Sequence, residues 1–199
     1  MNSVSNTLLV LILLCILFYI ILLFVKSSMQ KKLVLAIKQK DFQSFDTLIN
    51  CSLIRALFPP YNLEYLKLNR YLLEDNKGKI DQQFDLLLRA SKKSQKEDIF
   101  LKAFEYYAFN QNKKKASKYF EELQKLKNPK ITKYVNLIYD VFVLNQSNHI
   151  EELEKDFENV SQDQKRFYAQ LLYVQYKNIN NELKQNYYKE FLKASYEHC

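Results

Sequence analysis

The side chains able to do chemistry are few and scattered. His149 and His198 are the only histidines, and Cys15, Cys51 and Cys199 the only cysteines. Glu197, His198 and Cys199 are metal-ligand types, but three adjacent residues at a free end do not preorganise a coordination sphere. His149 follows Asn148 at an expected helix start, where an exposed imidazole is ordinary. A single glycine leaves no glycine-rich loop to cradle a phosphate, and no nucleophile elbow is present. The acid pairs Glu121-Glu122 and Glu151-Glu152 read as solvated helix faces, with Glu121 facing Lys125 and Glu151 facing Lys155. The expectation is therefore no catalytic centre, no cofactor and no metal, with an enzyme the least favoured class. An odd cysteine count, with Cys15 inside an apolar run, argues against a disulfide framework and for a reducing compartment.

Charge narrows the partners. The net charge of +8 rests on lysine, since Arg55, Arg70, Arg89 and Arg166 are the only arginines and 22 acids are interleaved. Nucleic-acid binders cluster arginine for bidentate contacts, so nucleic acid is not an expected partner. Lys113-Lys114-Lys115 falls at an expected turn. It reads either as a flexible solvated loop or as a contact for an acidic peptide or lipid headgroups, and the solvated loop is the simpler reading.

Whatever these residues do, helices must position them. One glycine and three prolines cannot supply the turns of an all-β fold, and Leu, Lys, Glu, Gln and Ile favour helix. Residues 1–7 read as a short tail. From Leu8 to Val25 the chain runs 18 residues without a charge. At about 1.5 Å per residue that is roughly 27 Å, the thickness of a bilayer's hydrocarbon. No polar face exists for a buried soluble helix, and the uncharged MNSVSNT lacks the basic start of a cleaved signal. A retained transmembrane helix over 8–25 is expected. Lys26, Lys31, Lys32, Lys38 and Lys40 follow it, whereas no charged side chain precedes it. The positive-inside rule then predicts a single-pass protein of the cell membrane with its C-terminal domain in the cytoplasm. The same lysines, in a basic helical segment over 26–60, would also attract anionic lipid.

Beyond the anchor, helix-stopping clusters recur at Pro59-Pro60, Asn76 to Gly78, Ser94-Gln95, Asn110 to Asn112, Asn128-Pro129, Gln146 to Asn148, Ser161-Gln162 and Asn178 to Asn181. The segments between them pair into hairpins. The first apolar anchors of the second helices, Ile80, Ala116, Ile150 and Leu183, stand 36, 34 and 33 residues apart. A near-constant period of this size marks stacked helical repeats, each hairpin burying its apolar face on the next. The best unit, Glu97 to Asn128, has Phe100 and Tyr107 in its first helix and Ala116 where the two helices approach. Phe120 follows four residues later and Pro129 stands at the boundary.

On these residues the stretch 61–199 resembles the tetratricopeptide repeat family, in degenerate form. Phe104 stands where the family places a small glycine, bulkier residues replace Ala116 in the other units, and Glu154 stands where an aromatic belongs. Phe42, Phe45 and Ile49 leave room for a degenerate first hairpin at 30–57. The resemblance implies an all-α fold, a transmembrane helix followed by a solenoid of stacked antiparallel hairpins. It also implies a concave groove lined by first helices, where Tyr65, Leu101, Tyr139, Phe142, Tyr168 and Tyr176 lie off the core stripe. Exposed aromatics of this kind bind peptides, although packing between hairpins would account for the same pattern.

The function expected is a membrane-tethered interaction module, an adaptor or assembly factor that binds a partner peptide or helix. The alternatives are a structural subunit of a larger membrane complex and, with inverted topology, an extracytoplasmic helper for secreted or envelope proteins. The anchor has no face of small residues for close helix packing, which favours a plain tether.

Overall fold

The computed structural model describes residues 2–197 as eleven α-helices, one 3-10 turn and one π turn, with no strand among the described residues. Helix α1 (Asn2–Lys38) contains neither Gly nor Pro and runs unbroken for 37 residues. Its stretch Leu8–Lys38 is long and apolar enough to cross a membrane, and none of its apolar window is buried. The chain packs as two compact units, Met1–Lys92 and Lys93–Cys199.

In the first unit α1 is followed by α2 (Phe42–Ile49), α3 (Ser52–Leu57), α4 (Pro60–Leu73) and α5 (Lys77–Ala90). Its core gathers Leu33 and Ala36 of α1 with Phe45, Ile49, Ile54, Phe58 and Leu63. The basic segment and α4 therefore share one core. Buried Arg70 ties α4 to α2. Its guanidinium bonds Asp46 and Glu74 and lies 5.0 Å from the centres of both the Phe42 and the Tyr71 rings.

The second unit holds α6 (Lys96–Phe109), α7 (Lys113–Lys125), α8 (Pro129–Ile138), a π turn (Tyr139–Val143), α9 (Ile150–Phe157), α10 (Gln162–Asn178) and α11 (Glu182–Glu197). Each of the expected helix stops falls at a helix end or between two helices.

With so little glycine, these turns are made in another way. Lys40, Asp75, Gln111 and Asn180 each adopt left-handed backbone, with φ between 51° and 57°. In each case the next residue, Asp41, Asn76, Asn112 or Asn181, sends its N–H five residues back to the helix just ended. The same Asp or Asn then accepts the N–H three residues ahead, capping the following helix. One residue thus closes one helix and opens the next, satisfying orphan groups of both. A side chain in left-handed backbone carries strain that glycine would not. Asx capping and two returned backbone bonds offset it.

The apolar anchors fare unequally. Ile80 and Ala116 are fully buried, Ile150 is half-buried, and Leu183 is 78% exposed. In α11 the inward residue is Tyr188, whose ring sits 5.6 Å from Phe157 and 5.9 Å from Tyr176. That rotation carries Leu183 and Tyr187 outward. Ala116 lies in α7 against α6 with no exposed surface. Ala116→Leu is expected to lower stability by about 1–3 kcal/mol through overpacking. An unchanged thermal midpoint by circular dichroism would mean the α6–α7 approach is looser than it stands.

Candidate functional site

The six groove candidates are divided between the two units, and each is half-buried or buried. Tyr65 belongs to the first unit, half-buried, with its ring 6.0 Å from Tyr61. The other five lie in the second unit, where Leu101, Tyr139 and Tyr168 are half-buried while Phe142 and Tyr176 are interior. Tyr139 stacks on Phe120 at 3.9 Å and its hydroxyl sits 3.1 Å from that of Ser117.

Two corrections have physical causes. Phe142 falls in the π turn, whose wider winding breaks the α-helical register, so Val141, Phe142 and Val143 are buried in succession. The Phe142 ring meets Phe109 edge-on at 4.9 Å. Tyr176 is interior because α10 packs on both α9 and α11 and so buries more than one stripe: Leu171, Leu172, Gln175 and Tyr176 are all covered.

Glu154 sits at the centre of this arrangement. Its Oε1 accepts from Tyr176 Oη at 2.8 Å, Lys184 Nζ at 2.8 Å and Tyr188 Oη at 3.0 Å, joining α9 to α10 and α11. The position where the repeat pattern expects an aromatic instead holds an acceptor for three donors. Burial by itself would raise the Glu154 pKa, but the bonds from Lys184, Tyr176 and Tyr188 outweigh it and hold the carboxyl below its usual value. Burial first, and then the bond to Glu154, push Tyr176 up to about 12.

A pH dependence follows. A carboxyl with a depressed folded pKa stabilises the fold above its unfolded value, 4.5, and that contribution is lost as pH falls through the folded value. Glu154→Gln is expected to cost about 1–3 kcal/mol at pH 7. The gap between mutant and wild type should close as the pH is lowered below about 4. Melting curves at pH 7, 5 and 3.5 check this, and a pH-independent gap would contradict it.

Other polar side chains are likewise structural. His149 is not a loose exposed residue. Its Nε2 lies 3.0 Å from Asp140 Oδ2, and its backbone N–H donates to the buried Gln175 Oε1 at 3.0 Å. Tyr134 donates to Glu105 at 2.6 Å. Lys125 forms a close ion pair with Glu122 at 2.7 Å, and Glu121 adds a weaker electrostatic attraction. No three His, Cys, Asp or Glu side chains gather to hold a metal among the described residues; His198 and Cys199 lie outside them. Lys113, Lys114 and Lys115 are not a flexible loop. They open α7 behind the Asn112 cap, and Lys115 Nζ lies 5.1 Å over the Tyr107 ring.

Of the five lysines that follow the apolar run, Lys31, Lys32, Lys38 and Lys40 are exposed. Lys26 is half-buried, its Nζ 5.5 Å over the Phe58 ring. Lys40 has a second duty as the left-handed residue ending α1.

No protein-family model matches this chain, and no curated protein or solved structure matches it either.

Proposed function

We propose that the chain is a membrane-tethered interaction module, an adaptor or assembly factor whose helical units stand in the cytoplasm and hold a partner protein at the membrane. The observation that carries this reading is the continuity of α1. The helix that supplies the apolar span also supplies Leu33 and Ala36 to the core of the first unit. Leu33 lies eight residues past Val25, about 12 Å along the helix axis. The first unit is thus held in the headgroup layer without a flexible linker, as suits a protein that fixes a partner's position at the surface.

Orientation rests on Lys26, Lys31, Lys32, Lys38 and Lys40 on one side of the span. The solenoid reading is supported by the recurrent turn: its capping residues Asp41, Asn76 and Asn112 are spaced 35 and 36 residues apart, close to a tetratricopeptide-like period. Exposed Ile179, Leu183 and Tyr187 give the second unit apolar surface to offer a partner. No reaction is assigned to it, and the module needs neither cofactor nor metal. Crosslinking in native membranes followed by purification of the full chain tests the proposal. A defined partner recovered in stoichiometric yield supports it; a chain that crosslinks to nothing but lipid contradicts it.

A further inference from the structure

Within the second unit a cleft of about 550 Å³ opens between the α6–α7 turn, the π turn, α10 and α11. Its chemistry is one-sided. Lys113 and Lys177 stand at it, both exposed, and no carboxylate lines it among the described residues. Neither lysine makes an ion pair among the described residues. Four carboxamides, Gln111, Asn145, Gln170 and Asn178, line the cleft as well. Gln111 and Asn145 occupy left-handed turn positions, with φ of 57° and 58°. The Asn178 Nδ2 is buried and has no acceptor among the described residues. A buried donor without an acceptor is costly, and here it belongs to a residue that also lines the cleft. Phe109, exposed, and Phe142 supply an aromatic wall.

We infer that this cleft binds a short acidic peptide segment carrying an aromatic or large aliphatic side chain. Each feature selects one part of such a ligand. The two unpaired lysines favour carboxylates and repel basic segments. Carboxamides each offer donors and an acceptor, the complement of a peptide backbone. The aromatic wall takes the apolar side chain. A fatty acid would use the lysines and the wall but leave the four carboxamides idle. The inference rests on the interaction-module reading and names its site.

The probe is a fluorescein-tagged, N-acetylated peptide of sequence EDFED, with QNFNQ and EDGED as controls, titrated by anisotropy against the full chain in nonionic detergent. Saturable binding of EDFED is expected, weakened roughly tenfold or more for each control and for Lys113→Glu/Lys177→Glu. Both lysines are exposed, so the double variant should keep its helical circular dichroism. Asn178→Leu, which removes the donor, should weaken EDFED and leave its charge selectivity intact. Equal binding of EDFED and QNFNQ, no saturable binding, or an undiminished affinity in the double variant would overturn the inference. So would dodecanoate displacing EDFED while Asn178→Leu has no effect, which would mark the cleft as a lipid site. In native membranes the double variant separates the two proposals. A partner retained by the double variant sinks the cleft alone, whereas a wild type without any partner sinks the module.

Discussion

Leu33→Ala is expected to lower the stability of the first unit by about 2–5 kcal/mol, although Leu33 lies on the same helix as the long apolar run. The side chain has no exposed surface and packs among Ala36, Phe45, Ile49 and Ile54, so its loss leaves a cavity that a short-helix core cannot easily close. Leu35, two residues on, is 52% exposed, and Leu35→Ala should change stability by less than about 0.5 kcal/mol. For a unit of this size the difference corresponds to a fall in melting temperature on the order of 10 °C or more. Thermal scans of the full chain in detergent, followed at 222 nm, read it directly. Equal effects from the two substitutions would make the end of α1 a free stalk instead of part of the first unit's core.

Tyr176→Ala should unfold the second unit before it shows any separable loss of partner binding. The side chain is 6% exposed, stacks near-parallel on Tyr188 at 5.9 Å and donates to Glu154. Truncation is expected to cost about 3–5 kcal/mol. Tyr176→Phe keeps the ring and loses one bond to a carboxylate that has two other donors, so it should cost about 1 kcal/mol. Tyr168→Ala, at a half-buried ring, should fall well below Tyr176→Ala in denaturant titration. A stable Tyr176→Ala variant that has lost only its partner would return Tyr176 to the binding surface.

Local signals in the sequence carried much of this fold. The apolar run, the helix stops and the buried anchors Ile80 and Ala116 are each written in residues that act on their immediate neighbours. What was not legible depends on residues distant in the chain. Phe142 turns inward because a π turn shifts the register, which no apolar periodicity announces. Leu183 turns outward because Tyr188 commits α11 to Phe157 and Tyr176. Glu154 looked like a fault in a repeat; its partners Tyr176, Lys184 and Tyr188 lie 22, 30 and 34 residues away. The cleft, too, draws on the α6–α7 turn, the π turn, α10 and α11, and only packing brings these together.

The most direct test of a tethered cytoplasmic module uses a native side chain. Cys51 is free and exposed in the first unit, whereas Cys15 lies within the apolar span. Intact cells are treated with a membrane-impermeant maleimide, before and after permeabilisation, and labelling of the Cys51 peptide is quantified by mass spectrometry. Labelling only after permeabilisation is predicted. Labelling of Cys51 in intact cells would place the helical units outside and contradict the cytoplasmic module.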